Sequence, residues 1–249
     1  MPRSSRRSIS WRALQALGAL ILLAGCAHLK RASPEEPDIL WELAWESVTD
    51  DGQPFIAQGK AAFDSPNLAQ SAGLLWRQEG ERMRVDLSGF LGLPLASAGI
   101  TGERAWLNVP LRAVRLSGTT AWLDSAAREI SGLDLLNSIA VLLGRPPRQE
   151  GRYQTSRDEL GNYLYAFPRG DSIAIYRLDP EKGRIAGYRL EVAGRQEYSV
   201  EYGDWRITGN KARPFSVDLY SRRGQAALSV RYSSISREQT FPGDVWEQP

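Results

Sequence analysis

The chain has a single cysteine, Cys26, and a single histidine, His28, and both precede the first stretch with the patterning of a folded domain. Imidazole is the usual general base near neutral pH and the commonest metal ligand, and the thiolate is the other common nucleophile and soft ligand. A domain with neither cannot build most catalytic triads or zinc sites. It holds no disulfide either, which a chain long enough to bury a substantial core does not require. Nucleophile elbows, phosphate-binding glycine loops, zinc-protease helices and EF-hand loops are also missing. Lys60, Lys182 and Lys211 leave a Ser–Lys dyad open, but no spacing singles one out. The carboxylates are dispersed along alternating strands, as on solvated faces. The reading is a chain that is not an enzyme and needs no cofactor or metal.

No apolar run is long enough for a permanent span. The stretch from Trp11 to Leu23 is largely apolar and follows Arg3, Arg6 and Arg7, with Arg12 inside it. At about a dozen residues it is too short to cross ~30 Å of hydrocarbon. A basic start, a short apolar core and small residues at its end make a secretory signal. The ending Leu23-Ala24-Gly25-Cys26 resembles a bacterial lipobox. That resemblance implies a diacylglyceryl group on the sulfur of Cys26, cleavage before it and acylation of the new amine. Residues 1–25 are then the signal peptide and 26–38 a polar, lipidated tether ahead of one domain over 39–249. By analogy with sorting in enteric bacteria, Ala27 rather than Asp after the cysteine directs the protein to the outer membrane.

Excess positive charge is lacking once the leader is removed. Its four arginines taken from 31 basic side chains leave 27 against 29 acidic ones, a net of −2. That argues against nucleic acid, which requires a basic patch on the folded domain.

What is present is mostly β-pattern. After a short amphipathic helix over 39–48, strands are expected at Phe55 to Phe63, Gly73 to Gln78 and Arg82 to Ser88, the last with Met83, Val85 and Leu87 alternating against Arg84 and Asp86. Gly89 to Leu95 is an apolar loop punctuated by glycine. Ala96 to Thr101, Arg104 to Val109 and Arg112 to Ser117 read as further strands, and 121–130 and 133–143 as two helices. The second helix is apolar almost all round, so it is either buried or covers something apolar. Strands resume at Tyr163 and run to Tyr232, while Ser233 to Pro249 shows little pattern beyond Phe241 and Trp246 and is read as lying along the surface. About eleven antiparallel strands with one helical insert predict a strongly curved sheet or open barrel with helices over its mouth. Trp76, Met83, Leu87, Trp106, Trp122 and the apolar helix suit either a filled core or a container for hydrocarbon.

Over about residues 55–232 the chain resembles the LolB family of outer-membrane lipoproteins, which receive other lipoproteins from the soluble carrier LolA. The resemblance rests on Gly59, Ala61 and Phe63, on Trp76 and Gln78, on Leu91-Gly92, on Gly144-Arg145-Pro146 after the apolar helix, and on Tyr198 to Trp205 followed by Pro214. Phe90 stands where the family usually has proline, and the chain continues beyond the last family strand. The resemblance implies a mainly β, eleven-stranded half-barrel closed by helices around an apolar cavity for acyl chains, acting as a monomer. Trp76, Met83, Val85, Leu87, Leu136, Ile139 and Leu143 are the expected lining. It further implies that Leu91 promotes insertion into the bilayer, with Phe90 and Leu93 as local additions. Lipoprotein cargo, a LolA-like periplasmic carrier and outer-membrane lipid are the implied partners.

Overall fold

Alternation of apolar and polar residues puts one dry face on almost every strand, and such faces are stable only when joined and covered. The structure, a computed structural model, describes residues 36–48, 52–65, 68–122, 124–125, 140–209, 211–220, 226–238 and 240–248. Contacts divide the chain into 1–36 and 37–249, and apart from Glu36 the described residues belong to the second unit. The leader, Cys26, Leu136 and Ile139 lie outside the described residues.

One helix, α1 (Glu36–Val48), precedes the strands β1 (Phe55–Ser65), β2 (Leu68–Glu79), β3 (Arg82–Ser88), β4 (Pro94–Thr101), β5 (Arg104–Val109) and β6 (Val114–Thr119). After the insert come β7 (Gln154–Arg157), β8 (Tyr163–Arg169), β9 (Ser172–Asp179), β10 (Arg184–Val192), β11 (Arg195–Thr208), β12 (Lys211–Tyr220) and β13 (Ala226–Arg237). These thirteen strands form one open, curved antiparallel sheet in the order β6-β5-β4-β3-β2-β1-β13-β12-β11-β10-β9-β8-β7. The mainly β half-barrel expected from the sequence is therefore present, with thirteen strands rather than about eleven. Two meanders, β1–β6 and β7–β13, are joined through the pairing of β1 with β13. The insert between β6 and β7 consequently runs from one edge of the sheet to the other.

One continuous row of side chains crosses the inner face, with Tyr165, Tyr176, Tyr188, Val200, Leu219, Leu228 and Phe63 opposite one another on successive strands. Helix α1 covers the half of this face built by β8 and β9. Trp41, Ala44, Trp45 and Val48 follow helical spacing and are all buried. The Trp41 ring lies 4.9 Å from Tyr165, 5.1 Å from Phe167 and 5.0 Å from Tyr176. Tyr165 donates to the carbonyl of Pro37 at 2.6 Å, which fixes where the helix starts.

The end of the insert passes over the middle of the same face. Residues 140–142 are helical, and Tyr232 on β13 donates to the Leu142 carbonyl at 3.0 Å. Arg145 reaches back to Gln78 on β2 at 3.4 Å, and Tyr176 on β9 donates to the Pro147 carbonyl. Of the two helices expected in the insert, 120–122, 124–125 and 140–142 are helical, and the remainder lies outside the described residues.

The outer face is polar and carries ion pairs such as Arg77–Asp86 at 2.7 Å and Arg231–Asp218 at 2.8 Å. Its exception is the patch under the C-terminal segment. Trp106 points to this face and donates to the Trp246 carbonyl at 3.3 Å, while Arg84 donates to the Val245 carbonyl at 2.9 Å. Trp246 is buried and meets Phe241 edge-on at 5.4 Å.

Candidate functional site: an apolar cavity and an exposed loop

The two halves of the inner face differ in side-chain size. Around β8 to β10 it is packed with tyrosine and tryptophan. Around β1 to β4 the inward positions include Ala57, Ala61, Ala72, Ala96 and Ala98. Small residues there leave a hollow of ≈ 180 Å³. Trp76, Met83, Val85 and Leu87 all line it, so the structure brings four of the expected residues together. Ala61, Leu74, Ala98, Ile100 and Val230 line it too and were missed by the sequence reading. The signal for them was the alanine on alternate positions of neighbouring strands, which marks space as surely as a large residue marks contact.

Leu143 is a correction. It is buried and outside the lining, whereas Leu142, among the described residues of the insert, lines the hollow. Successive residues of a helical turn point about 100° apart, so a shift of one position moves the contact to another side. Trp106, read as a core or container residue, is also absent from the lining because it sits one residue out of phase with Ala105 on β5. Among the described residues no ionisable side chain faces the hollow. An unpaired charge would be costly there, and a hydrocarbon is the chemistry that such a lining accepts.

The β3–β4 connection lies at the end of this half of the sheet. Gly89, a short 3-10 turn over Phe90–Gly92, and Leu93 form it. Phe90 is 84% exposed, Leu91 83% and Leu93 62%. Leu91 has φ 58°, the left-handed region that an L-residue with a γ-branched side chain rarely adopts. The turn is held by backbone bonds, Gly89 N–H to Leu93 O at 2.8 Å and Gly92 N–H to Gly89 O at 3.2 Å, so its side chains are free to project. Three large apolar groups on a protruding loop mark a contact surface rather than a packing element.

Neither a protein-family model nor a curated protein matches the sequence. Solved structures do match in shape. A domain assigned to outer membrane lipoprotein sorting in Vibrio parahaemolyticus superposes with TM-score 0.57 at 12% identity, covering 82% of this chain and 94% of that one. A LolA superfamily protein from Nitrosomonas europaea gives 0.55 at 12% identity over 85% and 97% of the two chains. A DUF1329 family protein from Desulfovibrio piger gives 0.57 at 10% identity over 84% and 96%. The fold is LolA-like. At these identities the likeness extends to architecture only, so the role of the cavity and loop rests on their own chemistry. No helix among the described residues is long and apolar enough to cross a membrane.

Proposed function

We propose that this protein is a membrane-anchored acyl-chain carrier of the LolB kind, held by lipid on Cys26, that takes lipoproteins from a LolA-like periplasmic carrier and delivers them into the outer membrane. The observation that carries this reading is the hollow under Leu142, whose described lining is wholly apolar, on the half of the sheet whose end bears Phe90, Leu91 and Leu93. There is no chemical step. Binding follows from removing methylenes from water at about 0.8 kcal/mol each, and release follows where the loop meets lipid and the chains find an equally apolar medium. Direction of transfer between two carriers then needs only a difference of a few methylenes in contact.

The size of the hollow adds a requirement. At ≈ 180 Å³ it is only slightly larger than the ~150 Å³ engineered cavities that take one benzene. A long acyl chain exceeds that volume, so it extends beyond the hollow or displaces the cover at Leu142. The hydrogen bond from Tyr232 to the Leu142 carbonyl is one tie that such a displacement breaks.

Ala98→Phe tests the reading, because a phenyl ring fits the hollow and fills it. Affinity for a fluorescent fatty-acid probe should fall at least about tenfold, while the melting temperature holds or rises, as for cavity filling. A wild-type protein that binds no probe, or a variant that binds as the wild type does, overturns it.

A further inference from the structure

A second loop repeats the build of the first. The β5–β6 connection is again one 3-10 turn, Pro110–Arg112, and it too has a non-glycine residue in the left-handed region, Ala113 at φ 50° at its close where the first turn has Leu91 within it. It projects Leu111, which is 76% exposed. Both connections emerge at the same end of the sheet, because two strands separate them in an uninterrupted antiparallel meander. Ser97 pairs with Asn108, which sets the start of β4, next to Leu93, across from the 110–112 turn.

Charge distinguishes this end further. Between Leu87 and Thr120 the sequence has one carboxylate, Glu103, in the β4–β5 turn at the opposite end. Arg112 and Arg115 stand beside Leu111, both exposed, and neither makes an ion pair among the described residues. Several arginines elsewhere on the sheet are matched with carboxylates, as Arg77 and Arg84 are with Asp86, though among the described residues Arg169 and Arg195 are not. What marks this end is therefore the pair of cations beside an exposed leucine in a stretch poor in carboxylates.

The geometry points to a two-loop platform for an anionic bilayer surface. Phe90, Leu91, Leu93 and Leu111 enter the acyl boundary, and Arg112 and Arg115 pair with the acidic headgroups above them. The inference rests on the proposed membrane role of the first loop and adds to it a second point of entry and a lipid preference. Two separated tips with a cationic rim suit a deformable, negatively charged medium. A stable protein partner would instead require a continuous surface of ~800 Å², whereas burial of apolar side chains together with attraction of basic residues to acidic lipid is the recognised basis of interfacial binding.

The test uses the compact unit 37–249, which has its own sheet and core and carries no lipid. Co-sedimentation is measured with vesicles of phosphatidylcholine alone and of phosphatidylcholine mixed with phosphatidylglycerol. The wild type should bind the mixed vesicles more tightly, and added salt should remove the difference. Leu111→Ser should weaken binding to both vesicles about tenfold with its melting temperature unchanged. The pair Arg112→Ser and Arg115→Ser should weaken binding to mixed vesicles alone, by about tenfold or more. If Leu91→Ser abolishes binding while Leu111→Ser and the arginine pair leave it intact, the single-loop reading stands and the platform falls. Absence of wild-type binding to either vesicle overturns both. A dimer in sedimentation velocity that Leu111→Ser dissociates, without vesicle binding, would make this surface a contact between copies and likewise overturn the platform.

Discussion

Leu91 combines two features that stability alone does not select: it is 83% exposed and sits at φ 58°. The left-handed conformation costs an L-residue about 1–2 kcal/mol, and glycine avoids that cost. Leu91→Gly should therefore leave the melting temperature nearly unchanged. Relief of the strained φ offsets the roughly 0.5–1 kcal/mol that a glycine's larger unfolded ensemble costs. Delivery of a bound lipoprotein to liposomes should nevertheless slow, since the side chain meant to enter lipid is gone. Thermal melts beside a liposome-transfer assay check both halves. A destabilisation of several kcal/mol would show that Leu91 is held by packing. This loop was legible in the sequence because Gly89, Gly92 and Pro94 bracket the apolar residues, and such punctuation turns a chain outward. Leu111 had no such bracket. It falls in the gap between the strands expected at Arg104 to Val109 and Arg112 to Ser117, where one leucine beside Pro110 carries no signal of its own.

At the scale of elements, the C-terminal segment behaves as a strap whose seat is built by the absence of a side chain. A Cβ at Gly99 would lie 2.5 Å from the Trp106 ring, so the ring lies flat over β4 only because that position is glycine. Trp246 then packs beyond it, with the Arg82 guanidinium 5.2 Å from its ring centre. Gly99→Ala should lift Trp106, detach the strap and destabilise the protein by about 1–3 kcal/mol. Trp246→Ala should cost on the order of 3 kcal/mol. Combined, the two should cost less than their sum, because both remove the same contact. Chemical denaturation of the single and double variants measures this, and strict additivity would mean that the strap is not seated through Trp106. The sequence showed the two aromatic anchors of the tail and not their seat, which lies about 140 residues away in the chain. Elements were missed for similar reasons. Strand β7 reads Gln154-Thr155-Ser156-Arg157, with every side chain exposed, so it has no alternation to detect. Strand β6 starts two residues later than expected because Pro110 opens a 3-10 turn rather than a strand.

Across the whole molecule, composition and period are enough to give a mainly β half-barrel with a helical insert. The pairing of β1 with β13 is a contact between distant segments that no local pattern encodes, and it joins the filled half of the sheet to the hollow one. On the filled half, Tyr165, Tyr176, Tyr188, Tyr202 and Tyr232 are all buried. Burial first, and then the fields of neighbouring phenols for the first four, holds each hydroxyl protonated well above the ordinary tyrosine range. The half-buried end of this cluster, Tyr153, is pushed up to about 12 by burial and by its hydrogen bond to Asp38. Groups whose folded pKa is raised stabilise the native state in full below their unfolded value, near 10, and that contribution is lost as pH climbs past it. The protein should therefore hold its stability from neutral pH to about pH 10 and lose it steeply above. Phenolate absorbance of the buried tyrosines should then appear together with loss of the β-sheet signal in circular dichroism, rather than before it. Acyl-probe binding should survive to the same point, since among the described residues no ionisable group lines the hollow. If all nine tyrosines ionised near pH 10 with the sheet signal intact, the inner face would be wet. A wet inner face could not serve as a container for hydrocarbon.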